Sequence, residues 1–159
     1  MSAAPFDVEL VRERLVAAKL LENQTLRSIK GAADYHAVQS LQDFPVPCAY
    51  LVLAREKAVS QQQGVAPPGQ QVPSSQIAYA SFAVVVAARN YRDQRGEQVT
   101  QDLQAVLAAI RGALIGWVPD LPGARACQFV QGDMQDYNAS VALWADIYQT
   151  QHIIKGAAR

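Results

Sequence analysis

Residues Ile77–Pro119 read IAYASFAVVVAARNYRDQRGEQVTQDLQAVLAAIRGALIGWVP, and this stretch decides the fold. Its first part is a run of β-branched, aromatic and small residues without an internal Gly or Pro, which predicts a strand inside a sheet and not at its edge. Alternation puts Ile77, Tyr79, Ala83, Val85 and Ala87 on one face and Ala80, Phe82, Val84, Val86 and Ala88 on the other. Both faces are apolar, so both need cover. After the polar break RDQRGEQ, Leu103, Val106, Leu107, Ile110 and Leu114 recur at three- and four-residue spacing, predicting a helix over Gln98–Ile115. Gly116 can close that helix in a left-handed conformation, and Pro119 cannot continue it. A strand with its own following helix folded back on it accounts for one apolar face. The other face is left to some further element or to a partner.

Working outward, Cys48–Lys57 reads as a second central strand, with Tyr50, Val52 and Ala54 alternating against Ala49, Leu51 and Leu53. Between the two strands the composition changes abruptly to SQQQGVAPPGQQVPSS, residues Ser60–Ser75. A loop of this length inside a compact domain is uncommon and is either functional or simply flexible. It joins strands able to pair directly, so it forms the tip of a long β-hairpin arm. Gln61, Gln62, Gln63, Val65, Pro67, Pro68, Gln70 and Gln71 are its candidate contact residues. Glutamine both donates and accepts hydrogen bonds, and proline lowers the entropy lost on docking.

Upstream, Pro5–Leu21 predicts an N-terminal helix, with Val8, Val11, Leu15 and Ala18 as its apolar stripe and Asp7 and Glu9 near its positive end. Thr25–Ala32 predicts a short strand. Asp34–Gln42 suits one or two helical turns, and Phe44–Pro47 is extended because of its prolines. Downstream, Pro122-Gly123 marks a turn. Ala126–Val130 predicts a short strand, Gly132–Asn138 a turn, and Ala139–Ile154 a long last strand. On that strand Val141, Leu143, Ala145 and Ile147 form an aliphatic face. Trp144, Asp146, Tyr148 and Thr150 form a mixed one, which suits either a half-exposed sheet or a partner contact through Trp144 and Tyr148. The whole is α+β: a mostly antiparallel sheet, an N-terminal helix and a second helix packed on it, in one domain spanning 1–159.

The bulk properties narrow the function. The chain has 159 residues, half of them hydrophobic, and its formal net charge is zero. Zero net charge argues against nucleic-acid binding through general electrostatics and is compatible with close packing of identical copies. No apolar run approaches a membrane span, and the start lacks the basic and apolar segments of a signal peptide. A reducing cytoplasm is therefore expected, with Cys48 and Cys127 as buried small hydrophobes and no disulfide. His36 and His152 have no carboxylate or cysteine at metal-ligand spacing. The glycines lack the context of a phosphate-binding loop, and no nucleophile motif occurs. Asp133 and Asp136 lie close together, but in a sequence that favours a turn. No catalytic, cofactor or metal site is indicated.

The motifs FPVPCAYLVLA, FAVVVAARNYRD, GALIGWVP and DYNASVALWADIYQT, with the Pro- and Gln-rich loop between the first two, resemble the tail terminator family of long-tailed bacteriophages, including those of Mu-like transposable phages. The resemblance runs from about Phe44 to Ile154, and the family's helix ending is carried here by Leu114, Gly116, Trp117 and Pro119. It implies a virion protein that assembles in the host cytoplasm as a homo-oligomer, a hexameric ring on the last ring of the tail tube. There it would stop tube polymerisation and present a surface to the head-side connector or stopper protein, with DNA passing through the lumen. A connector or stopper subunit is the alternative within the same class. A small ligand-binding or enzymatic domain, using the sheet face around Trp144 and Tyr148, is the alternative outside it.

Overall fold

The computed structural model describes residues 2–59, 75–89 and 98–156. The candidate arm residues Gln61, Gln62, Gln63, Val65, Pro67, Pro68, Gln70 and Gln71 lie outside them. The elements in chain order are α1 (Glu9–Ala17), β1 (Ser28–Gly31), α2 (Ala32–Ala37), a 3-10 turn at Leu41–Asp43, β2 (Cys48–Ala58), β3 (Ser75–Arg89), α3 (Gln98–Leu114), β4 (Gln128–Tyr137) and β5 (Val141–Lys155). One five-stranded sheet runs in the order β1-β2-β3-β5-β4. Among the described residues only the β1–β2 pair is parallel, so the α+β architecture with a mostly antiparallel sheet is as the sequence predicts.

The apolar run is the middle strand, paired with β2 on one side and with β5 along its full length on the other. Its alternation holds. Ala80, Phe82, Val84, Val86 and Ala88 meet Val11 and Leu15 of α1 and Leu103, Val106, Leu107, Ile110 and Leu114 of α3 in one core. Val85 and Ala87 belong to a second core on the opposite face, with Phe44, Cys48, Tyr50, Val141, Leu143 and Ala145. Tyr35 and Val38 pack against that core, as do Leu41 and Val46. The second face therefore gets cover from within the chain at one end of the sheet, by α2, the 3-10 turn and the extended Phe44 segment. At the other end Ile77 and Tyr79 remain exposed. Ala58 pairs with Ala78 and the Val59 N–H donates to the Ile77 carbonyl. β2 and β3 are thus the two arms of a hairpin.

Several element boundaries differ from the sequence reading by a few residues, and two differences change the picture. The N-terminal helix starts at Glu9, not Pro5, and ends at Ala17. Residues 2–6 instead run as a strap along the sheet: the Ser2 carbonyl accepts from the Lys155 N–H, the Phe6 N–H donates to Glu56, and the Phe6 ring stacks on Phe82. Burying one large aromatic ring outweighs the few weak helical contacts Pro5 and Phe6 would gain. The second difference is larger. Gly132–Asn138 is not a turn; it continues from Gln128 as the ten-residue strand β4, with the turn delayed to Asn138, whose carboxamide accepts from the Ser140 and Val141 N–H groups. Asp133 and Asp136 therefore sit on an edge strand. Pairing with β5 satisfies the backbone that the local turn preference would have satisfied, a tertiary override of short-range propensity.

The helix ending is as predicted. Gly116 has φ of 85°, its N–H donates to the Cys127 carbonyl, and the Cys127 N–H donates to the Trp117 carbonyl. The C-terminus of α3 is thereby tied to the residue that leads into β4.

Candidate assembly surface

β4 is one of the two outer strands of the sheet, and nearly all of it is exposed. Its register against β5 sorts its side chains. Phe129 faces Tyr148, Gly132 faces Asp146, Met134 faces Trp144 and Tyr137 faces Ala142. These four lie on the helix side of the sheet. Gln128, Gln131, Asp133 and Asp136 pair with Gln149, Ile147, Ala145 and Leu143 on the opposite side. Register shifts between Phe129 and Gln131 and between Met134 and Asp136 mark two bulges, which let the strand change step without losing its apolar side. The outcome is a strip of Phe129, Met134 and Tyr137, with Tyr137 64% exposed, beside α3. Val130, at the first bulge, adds to the exposed apolar surface. Single exposed hydrophobes need no explanation, but a row of them on an open sheet edge does.

A buried polar cluster holds this strip in place. The Asp146 carboxylate is completely buried. Arg111 of α3 donates to it twice, Nε at 2.8 Å and Nη2 at 2.7 Å. Trp144 Nε1 donates at 2.7 Å and the Tyr148 hydroxyl at 3.0 Å. A buried carboxylate is costly unless paired and fully hydrogen-bonded, and here both conditions are met. The Arg111 guanidinium lies 4.4 Å from the centre of the Phe129 ring, so one side chain joins helix, central sheet and edge strand. The hydrogen bonds to Asp146 raise the Arg111 pKa, and burial, followed by the neighbouring Asp146 charge, raises that of Tyr148. Gly132 makes room for the cluster. A Cβ there would lie 2.6 Å from Asp146 Oδ1 and 2.8 Å from the Trp144 ring.

These facts revise the sequence-derived surface. Tyr148 is fully buried, in ring contact with Phe82 and Phe129, and is a core residue with no partner contact available to it. Trp144 is half-buried and turned onto Asp146. On the mixed face of β5, Trp144 and Tyr148 are satisfied by Asp146 under Arg111 of α3, and the Thr150 hydroxyl donates to the Arg125 carbonyl. Without the helix placed over it, Trp144-Ala-Asp-Ile-Tyr148 looks like a contact face. The exposed apolar row belongs to β4 instead, and its alternation is hidden in the sequence by the two bulges.

His152 is buried and its Nε2 is 2.5 Å from Glu56 Oε1, whose second oxygen accepts from the Phe6 N–H. His36 is exposed and stands edge-on to Tyr35. Cys48 and Cys127 are free and buried, and burial pushes their thiols up to about 11 and about 12. A hollow of about 330 Å3 on the less covered face is lined by Tyr79, Arg125, Gln128, Gln149 and Gln151 among others. Polar and apolar side chains share its lining, which also includes Ala126 and Thr150.

A comparison with curated protein sequences gives no match. Among solved structures, a chain of the virion of a native gene transfer agent particle is similar in fold, with a TM-score of 0.52 at 16% identity. The similarity covers 89% of this chain and 90% of that one. The family model described as phage tail terminator protein matches residues 1–159. A match over the entire length shows the family: the chain belongs to the phage tail terminator proteins, structural proteins of the phage tail.

Proposed function

We propose that the protein forms a closed ring, hexameric as the family resemblance implies, at the head-proximal end of the tail tube, where it stops tube growth and offers its other side to the head connector or stopper. The whole-length family match carries this reading. The exposed apolar strip on β4 supports it, because a protein that stays solitary gains nothing from such an edge. In the same reading the arm Gln61–Pro73, at the tip of the β2–β3 hairpin, works between subunits or against the tube.

Electron microscopy of the purified protein, alone and mixed with tail tubes, tests the proposal. Rings, and tubes capped at one end, are expected. In cells, deletion of the gene should give tails of uncontrolled length. Tails of normal length that still fail to join heads would overturn the terminating role and favour a connector.

A further inference from the structure

We infer that the ring closes by docking the β4 edge of one subunit against the α1–β1 side of the next. This rests on the ring proposed above. The sheet order puts β4 and β1 at opposite ends of the subunit, so contact between them is head-to-tail, the kind of interface that generates rings. β4 carries only acidic charges, and Arg27 and Lys30 at β1 offer it the opposite sign, with Glu9 and Asp34 lying beside Lys30. No Lys or Arg occurs between Arg125 and Lys155, and β4 exposes Asp133 and Asp136. No Asp or Glu occurs between Glu22 and Asp34, and the β1 end exposes Arg27 and Lys30. None of these four residues forms a salt bridge among the described residues. A two-fold pairing of β4 with β4 would set Asp133 and Asp136 against their own copies, which like-charge repulsion opposes.

The apolar parts match as well. Val16, one turn after Arg12 on the flank of α1 turned toward β1, is 40% exposed and can meet the Phe129, Met134 and Tyr137 strip. Arg12 donates to the Ile29 carbonyl of β1, and β4 carries two bulges. Both features discourage a continuous inter-subunit ladder, so recognition runs through side chains.

Charge exchange tests this. Asp133→Lys with Asp136→Lys, and separately Arg27→Glu with Lys30→Glu, should each weaken self-association about tenfold or more by sedimentation, with the monomer's melting temperature unchanged. The chain carrying all four changes should assemble again. If rings form from the wild type and equally from either double variant, this docking is wrong while the ring stands. A wild type that remains monomeric both alone and on tubes overturns the ring, and the docking with it. Loss of assembly that the fourfold exchange does not rescue also counts against the pairing.

Discussion

Arg111 on α3 and Asp146 on β5, 35 residues apart, meet in a two-pronged contact of 2.8 and 2.7 Å with the carboxylate sealed from solvent. The contact fixes how the helix sits on the sheet, and through the Phe129 ring it fixes the edge strand as well. Arg111→Ala would leave a buried carboxylate with only the Trp144 and Tyr148 donors. Breaking a buried pair from one side costs about 3 kcal/mol or more. Urea unfolding should show that loss, and Arg111→Lys, a point charge in place of a planar fork, should recover only part of it. A change of the size seen at ordinary surface sites, about 0.5 kcal/mol, would remove the cluster from its structural role.

At Gly132 on β4 a methyl group has no room, because Asp146 and the Trp144 ring already occupy the space. Gly132→Ala should destabilise by about 1–3 kcal/mol, the usual cost of overpacking, and shift the Trp144 fluorescence because the indole must move off Asp146. Gln131→Ala, exposed and on the opposite side, should do neither. Equal melts for the two variants would contradict the packing around Gly132.

Leu107 is buried between α3 and the sheet. Leu107→Ala should cost about 2–5 kcal/mol, whereas Gln104→Ala on the exposed side should stay within about 0.5 kcal/mol. A small effect at Leu107 would mean that α3 packs by another face.

The thiols give a pH signature. Burial raises Cys48 to about 11 and Cys127 to about 12, from an ordinary thiol value of 9.0. Their folded values lie above the unfolded one, so the stability they contribute is fully present below pH 9 and is lost as pH rises through the folded values. Between pH 8 and 10 the wild type should lose more stability than Cys48→Ala with Cys127→Ala. At pH 8, thiol labelling should be slow in the native protein and fast in urea. Matching pH slopes, or rapid labelling without denaturant, would count against both cysteines being buried.

Replacing Gln61–Pro73 with a short Asn-Gly turn should leave the melting temperature nearly unchanged, because the β2–β3 ladder already pairs Ala58 with Ala78. Ring or tube association, measured by sedimentation and tube binding, should weaken. A shortened protein that assembles normally would reduce the arm to a connecting loop.

What the sequence determined by itself was whatever depends on period and on local chemistry. The two-sided apolar run of β3, the three- and four-residue stripe of α3 and the glycine stop at Gly116 are each written within one short window. Each appears where expected. The motifs around them carried the family, again as short strings. What only the tertiary structure decided were facts that need two distant segments at once. Trp144 and Tyr148 look like contact residues until Arg111 is laid across the Asp146 they both hydrogen-bond. Gly132–Asn138 looks like a turn until β5 offers it a ladder. Phe6 leaves a helix it could have started because Phe82 and Glu56 are waiting on the sheet. In each case a long-range contact satisfies a buried polar group or buries an aromatic ring, and that gain exceeds the local preference it overrides.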